Sequence, residues 1–329
     1  MSGRSQRQAI SNSAAFAFRT LVVGLALYGG LDLIHGAMAQ DDDSLYLPTV
    51  IKAEEVQSLE TRVAALENLL ANVSRQGNDI YVTGANLHVV SGTGATDSIT
   101  NGLGNVIIGY NEERGHGGDR RTGSHMLVVG KANNYSAFGG IVVGHYNSVT
   151  GEYSSVSGGV FNEATGEYAS VGGGIQNEAR GLCAQVGGGL RNVASGESSS
   201  VSGGVNNSAT GEASSVSGGA LNAAAGNYAS VSGGSSNRSS GVMASVSGGN
   251  GNEASGWYSS ANGGGENEAG GRYSSVSSGR YNAASGEYAS VSGGYHNEAS
   301  AFAASVSGGQ NRQAAGDYSW RAGGLDQPN

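Results

Sequence analysis

The chain has 329 residues, of which 59 are glycine and only 2 are proline, and its formal net charge is −9. Glycine is far above its usual ~7%, yet a collagen helix would also need abundant proline, and a disordered chain would carry more charge than the 13% found here beside 38% hydrophobic residues. The single cysteine, Cys183, excludes an intrachain disulfide framework, and lysine occurs only at Lys52 and Lys131, so no nucleic-acid partner is predicted.

Residues 1–39 have the layout of a secretory signal peptide. Three arginines precede an apolar run over 21–31, and small residues precede Gln40, where cleavage is expected. The alternative is an uncleaved membrane anchor, but the unbroken run is shorter than the ~20 residues that a spanning helix needs. We therefore predict an exported protein, extracellular or at the cell surface, with an acidic linker over 40–50 and no transmembrane segment after signal removal.

Residues 51–75 carry the heptad pattern of a coiled coil. Arg62 at a g position and Glu67 at the following e position complete a pattern that resembles the short trimerisation motif of parallel coiled coils. One such helix is marginal alone, so the sequence predicts a homotrimer; packing of the helix on its own domain is the alternative. The apolar residues recur in steps of three and four at the a and d positions Val56, Leu59, Val63, Leu66, Leu70 and Val73.

From Gly151 to Gly316 the sequence repeats with a period of fifteen residues and without insertion. In the unit 286–300, alternation from Ala289 to Ser292 places alanine and valine on one face and serine on the other. A Gly-Gly turn and a second extended segment follow before the glycine that opens the next unit. Fifteen residues with three or more glycines cannot form two helices. The sequence therefore predicts an all-β fold, a parallel β-solenoid of 15-residue coils with two short strands and two glycine turns in each coil.

Residues at the same place in successive units form three inward columns. Valine occupies the first from Val156 to Val306, and alanine the second from Ala164 to Ala314, each with one interruption. The third column is asparagine, whose stacked amides are expected to hydrogen-bond along the axis and to the turn backbone. We interpret this ladder as structural rather than catalytic: Asn162, Asn177, Asn192, Asn207, Asn222, Asn237, Asn252, Asn267, Asn282 and Asn297.

The interior predicted for this rod is thin, because one valine, one or two small residues and an asparagine per coil bury little apolar area. Association of rods through a side face would supply further burial. The position after Gly-Gly is a candidate contact, since it is apolar at Val160, Ile175, Leu190 and Val205 and becomes polar later. The predicted organisation beyond the helix is irregular coils over 76–150, regular repeats over 151–316 and a cap or tail over 317–329.

The repeat resembles that of a known family. The segments 290–294, Ser-Val-Ser-Gly-Gly, and 297–300, Asn-Glu-Ala-Ser, occupy the places of the Ser-Val-Ala-Ile-Gly and Ser-x-Ala-x-Gly segments in the head repeats of YadA-like trimeric adhesins. The likeness covers 151–316 well and 104–150 more loosely. It implies a left-handed parallel β-roll, assembled as a trimer, that binds host or matrix surfaces. Here the coiled coil precedes the roll, and no C-terminal membrane-anchor barrel follows, so we expect a secreted or otherwise anchored fibre.

The charged stretch 111–124 is the candidate ligand or metal loop. The alternative is a solvated insertion between two coils, because charge runs usually serve solvation. The repeats themselves contain no aspartate from Gly151 to Gly316, which excludes a calcium roll of the Gly-Gly-x-Gly-x-Asp type. The residues of the candidate loop are Glu112, Glu113, Arg114, His116, Asp119, Arg120 and Arg121.

The expected function is that of a trimeric, adhesin-like binding fibre without catalysis, metal or cofactor. Outward Ser-Val-Ser rows with adjacent tyrosines form an amphipathic surface suited to a glycan, matrix protein or cell-surface ligand. One alternative is an ice- or crystal-binding solenoid that uses the serine rows, and another is a tail-fibre-like glycan-binding protein. An enzyme carried on a solenoid is disfavoured, because the repeats contain no acidic cluster for acid-base catalysis.

Overall fold

The computed structural model describes residues 53–115 and 118–323, in two units that divide after Leu87 and are described separately. The predicted signal peptide 1–39 and acidic linker 40–50 lie outside the described residues. Within the described ranges, no helix is both long and apolar enough to cross a membrane.

The first unit consists of a helix and a hairpin. The helix spans Ala53–Leu69, and the antiparallel strands Val73–Gln76 and Asp79–Val82 follow it. Gly77, with a φ of 60°, opens the two-residue turn between these strands.

The helix is shorter than the predicted coiled coil 51–75. Leu70 lies in the turn after the helix, and Val73 pairs with Val82 in the hairpin. The physical reason is that β-branched Val73 fits both a heptad position and a strand, and the Gly-Asn turn four residues later favours the strand. Residues 76–82, where the irregular coils were predicted to begin, belong to the hairpin.

The second unit is a parallel β-solenoid with coils of about fifteen residues, as the repeat predicted. Each strand pairs with the strand one coil away, as Ser170 does with Ser155, so identical positions stack. Fifteen strands form what we call the valine sheet: Val106–Ile108, Leu127–Lys131, Ile141–His145, Ser155–Val156, Ser170–Val171, Gln185–Val186, Ser200–Val201, Ser215–Val216, Ser230–Val231, Ser245–Val246, Ser260–Ala261, Ser275–Val276, Ser290–Val291, Ser305–Val306 and Trp320–Arg321.

A second parallel sheet lies on another side of each coil. Its thirteen strands form the alanine sheet: Asn134–Tyr135, Ser148–Val149, Glu163–Ala164, Glu178–Ala179, Val193–Ala194, Ser208–Ala209, Ala223–Ala224, Arg238–Ser239, Glu253–Ala254, Glu268–Ala269, Ala283–Ala284, Glu298–Ala299 and Gln313–Ala314.

Each regular coil also carries a third pairing site that the sequence analysis did not predict. The residue after Gly-Gly forms a single-residue parallel bridge with its equivalent in the next coil, in a series from His145 through Val160 to Gln310. A one-residue bridge has no alternation along the chain, so the repeat did not reveal it. The coils therefore pair on three sides rather than two.

The interior follows the predicted columns. Val216 and Ala224 are 1% and 0% exposed, and the valine column continues back into the irregular coils through Val142 and Val128. A small residue, serine or alanine, completes the interior of each coil; Ser214 is buried in this way and donates its hydroxyl to the carbonyl of Gly211. These side chains fill a narrow core, which confirms the predicted facing of alanine and valine.

The two glycine positions of a coil serve different purposes. Gly219, the second of a Gly-Gly pair, has a φ of 85°, which is the left-handed turn that the repeat predicted. Gly226, which opens a coil, has no positive φ; a Cβ there would overlap the carbonyl of Gly241 in the next coil. Close stacking therefore favours glycine at the opening position, which is glycine in every unit but the one that begins with Ala301.

The left-handed corners are occupied mainly by residues other than glycine. Tyr228 has a φ of 59° and Leu221 a φ of 61°. In this conformation the amide of Tyr228 donates to the carbonyl of Glu212 in the preceding coil, at 2.7 Å. Most other backbone N–H groups in these coils donate to carbonyls of the following coil. The N–H groups of the left-handed residues donate to the preceding coil instead.

Candidate functional site

The candidate loop 111–124 is partly built into the coil stack. Asn111 is 2% exposed, and its Oδ1 accepts the backbone N–H of Asn133 at 2.7 Å. At the other end, Ser124 is buried and forms a parallel bridge with Phe138. Both ends of the predicted insertion therefore belong to the coil stack, and Glu112, Glu113 and Asp119 between them are exposed.

Arg114 fastens the projecting loop to the solenoid. Its Nε donates to the carbonyl of Ala132 at 2.8 Å and its Nη2 to the carbonyl of Asn147 at 2.7 Å, while the guanidinium lies 5.6 Å from the ring centre of Tyr146. Burial lowers the pKa of Arg114, and the carboxylate of Asp119 opposes that shift. The guanidinium thus donates hydrogen bonds to backbone carbonyls of two coils.

The other charged residues of the loop are largely engaged with each other. The carboxylate of Asp119 accepts the backbone N–H of Arg114 and lies 3.0 Å from Nη2 of Arg121. Glu112 lies 3.9 Å from Nζ of Lys131, and His116 is outside the described residues. Among the described residues, no group of three or more histidine, cysteine, aspartate or glutamate side chains is placed to hold a metal ion. Asp119 and Arg121 are thus paired with each other inside the loop.

Beside the loop, a groove of about 360 Å³ remains open to a ligand. Arg120 and Glu163 line it, and the rings of Tyr146 and Phe161 contribute its apolar wall, with their centres 5.0 Å apart. Glu113 does not line this groove. Among the loop residues that the structure describes, Arg114 and Arg120 reach it.

We expect Arg114→Ala to release the loop. Hydrogen bonds from a charged donor contribute about 1.5–3 kcal/mol, so local opening should become about tenfold more frequent or more. The measurement is the rate of tryptic cleavage after Arg120 under native conditions. Glu113→Ala is the matched control, because Glu113 is exposed in the same loop and makes none of these bonds. Equal cleavage rates in the two variants would show that Arg114 does not hold the loop.

The asparagine column forms a continuous hydrogen-bonded ladder. In a typical member, Asn222 Nδ2 donates to the carbonyls of Gly218 and Gly234 at 2.8 and 3.0 Å, and its Oδ1 accepts the backbone N–H of Asn237 at 3.0 Å. The amide satisfies backbone groups of its own coil and of the next one. This use of every polar atom supports a structural role.

The ladder also extends beyond the residues that the repeat identified. Asn111, Asn133 and Asn147 precede Asn162 in the same chain of bonds. Their spacings of 22 and 14 residues break the period of fifteen, so counting by the period missed them. A sequence signal was available, because each of these three asparagines follows a Val-Gly or Gly-Tyr pair within a few residues. Arg312 takes the last place and contributes only its backbone N–H, to Oδ1 of Asn297.

A column of exposed tyrosines follows one left-handed corner of the coils. Where successive coils both carry tyrosine, the rings stack along the axis, with centres 5.4 Å apart for Tyr153 and Tyr168 and 5.0 Å apart for Tyr258 and Tyr273. Stacking covers the ring faces and leaves the edges and hydroxyls accessible. Cys183 takes the same slot in its coil and is exposed. We call this the tyrosine column: Tyr153, Tyr168, Tyr228, Tyr258, Tyr273, Tyr288 and Tyr318.

Carboxylates lie beside two hydroxyls of the tyrosine column, those of Tyr168 and Tyr228. The hydroxyl of Tyr228 donates to Oε1 of Glu212 at 3.1 Å, and this bond raises the pKa of Tyr228. The charge of Glu167 raises the pKa of Tyr168 in the same direction. These phenols are therefore hydrogen-bond donors and acceptors at neutral pH, and not charged groups.

A second exposed column is apolar. The bridge residues after Gly-Gly include Ile175 and Val205, which are 48% and 39% exposed, with Leu190 between them partly buried. From Ser235 onward the same positions become polar. We call this apolar segment the bridge edge; it is the side face that the sequence singled out as a contact surface.

Comparisons with known proteins add no family to this description. No protein-family model matches the chain, and no curated protein is significantly similar to it. The likeness to YadA-like heads therefore depends on the repeat unit alone.

Proposed function

We propose that this protein is an exported, trimeric, adhesin-like fibre of left-handed coils that binds glycans, matrix proteins or cell surfaces and carries out no catalysis. The observation that carries the proposal is the tyrosine column, an amphipathic surface repeated at coil spacing along a rigid support. Repetition of one weak contact along a rod favours avid binding to a repetitive surface.

The trimer is supported by the apolar stripe of the helix. In the single chain, Leu59, Val63 and Leu66 are about half exposed. Burying such side chains against two further copies would contribute roughly 1.5–3 kcal/mol each. Arg62 and Glu67 flank the stripe where a partner helix would place its opposite charges.

Charging this stripe is expected to dissociate the trimer. We predict that light scattering of the chain without residues 1–39 gives three times the chain mass, and that the variant Leu59→Asp/Leu66→Asp gives one chain mass, because six buried carboxylates could not be paired. Ala65→Asp is the control, since Ala65 lies on the outer side of the same heptad pattern. A monomer in the unmodified protein, or dissociation by the control alone, would contradict the assignment.

The binding proposal is tested by a screen of the same protein on immobilised glycans, matrix proteins and whole cells. Saturable binding without release of shortened glycan products supports a binding fibre. Release of products would instead indicate an enzyme carried on the solenoid. Absence of binding to every surface would remove the proposal.

A further inference from the structure

One coil of the regular solenoid, 256–270, departs from the repeat at several places at once. The valine column is interrupted there by Ala261, and the bridge position is Gly265. The unit also ends in Gly270, where the other units carry serine, threonine, arginine or alanine. In a rod whose stability depends on identical stacking, a cluster of departures indicates a local function.

Gly270 opens a notch on the surface of this coil. The notch has a volume of about 530 Å³ and is lined by Ser255, Gly256, Trp257, Gly270 and Arg272. A Cβ at Gly270 would lie 3.2 Å from Oε1 of Glu268 and 3.7 Å from Oγ of Ser255. The carboxylate of Glu268 and the hydroxyl of Ser255 therefore lie beside the space that a side chain at Gly270 would fill.

Trp257 supplies an unoccupied aromatic face. It is 57% exposed and, among the described residues, its ring is stacked on no other aromatic ring. The neighbouring tyrosines differ in this respect, because Tyr273 is stacked between Tyr258 and Tyr288 with centres 5.0 Å away on each side. Only the indole offers a flat apolar face to a ligand at this place.

Arg272 is held in position on the other side of the notch. Its guanidinium lies 4.8 Å from the ring centre of Tyr273, and Nη1 lies 3.7 Å from the carboxylate of Glu287. Because the guanidinium is already paired with a carboxylate, it adds little net attraction for an anion. Its remaining N–H groups can still donate to neutral acceptors. The carboxylates of Glu268, beside Gly270, and of Glu287, beside Arg272, make the surroundings acidic.

We infer that this notch binds a neutral pyranose residue of a glycan. The C–H face of the sugar lies on the indole of Trp257, and its hydroxyls bind Ser255, Glu268 and Arg272. The excess of carboxylates disfavours acidic sugars. The inference deepens the proposed function and rests on it: it names the part of the fibre where a glycan binds and the class of sugar.

The test uses the fluorescence of Trp257. The chain has two tryptophans, so Trp320→Phe leaves Trp257 as the single reporter. The probes are cellohexaose, maltohexaose and mannohexaose as neutral oligosaccharides, with oligogalacturonate as the acidic comparison. We expect a saturable change in indole emission with at least one neutral probe, and weaker or no change with the acidic one.

Two glycine variants of the same coil separate binding from folding. Gly270→Thr refills the notch with a residue that other coils carry at this place and should weaken binding about tenfold or more. Gly263→Thr is the matched control, because a Cβ there meets no atom within 4 Å and should leave binding unchanged. Calorimetry of Trp257→Ala should show the same loss as Gly270→Thr.

The inference is overturned if no neutral probe changes the emission, if the acidic probe binds more tightly, or if Gly270→Thr binds as the control does. Adhesion of the unmodified protein to cells or matrix is measured in parallel. When adhesion persists and the probes fail, only the glycan notch is wrong. When adhesion is absent as well, the proposed function fails with it.

Discussion

Replacing Asn222 with alanine is expected to lower the free energy of unfolding by about 3 kcal/mol, which is large for one polar side chain. The variant loses the two bonds from Nδ2 and the bond accepted by Oδ1. The carbonyl of Gly234 keeps the amide of Ala220 as a partner, but the carbonyl of Gly218 and the amide of Asn237 lose the side-chain partner. Each buried group left unpaired costs about 1–3 kcal/mol.

Asn227→Ala is the matched control for this experiment. Asn227 lies five residues away, is exposed, and bonds only to Glu212, so its replacement should cost well under about 1 kcal/mol. Urea unfolding followed by circular dichroism gives both values. If the two variants are equally stable, the ladder does not stabilise the solenoid, and its regularity would need another explanation.

Gly226→Ala is expected to destabilise the solenoid by about 3 kcal/mol or more, although it adds a single methyl group. The new Cβ would overlap the carbonyl of Gly241 and approach the carbonyl oxygen of Ser240 to 2.8 Å. Both atoms belong to the backbone of the next coil, which cannot move away without stretching the parallel ladders on three sides.

Gly218→Ala isolates the effect of stacking from the general loss of a glycine. Gly218 has no positive φ, and a Cβ there would meet no atom within 4 Å. Because alanine also restricts the unfolded chain, this control should be neutral or slightly stabilising, by up to about 1 kcal/mol. The measurement is the melting temperature of the two variants in parallel. Similar melting temperatures would mean that contact with the next coil does not exclude a side chain at the opening position.

The repeat predicted most of the solenoid because pairing of identical coils places identical residues in register. Val216 lies on Val201, and Ala224 lies on Ala209, as the period of fifteen requires. The end of the helix could not be predicted in this way, because Val73 satisfies both the heptad and the hairpin. Whether Val73 joins the helix or the strand depends on Gly77 and on Val82, which is nine residues away.

The surface was less predictable than the interior. The repeat predicted a left-handed turn at Gly-Gly, yet Tyr153 and Tyr168 also occupy that conformation and stack there. Their backbone N–H groups donate to carbonyls of the preceding coil, and no composition rule contains that contact. In the charged loop, Arg114 was predicted as a ligand residue, but it bonds backbone carbonyls that the sequence could not place beside it.

We propose that three copies of the chain present repeated contact surfaces together. The most direct test compares dissociation of the unmodified protein and of Leu59→Asp/Leu66→Asp from the same ligand-coated surface by surface plasmon resonance. We predict dissociation slower by about 100-fold for the unmodified protein, with Ala65→Asp behaving like it, because linked sites rebind before the fibre leaves. Equal dissociation of trimer-forming and charged variants, or no binding by either, would contradict the claim.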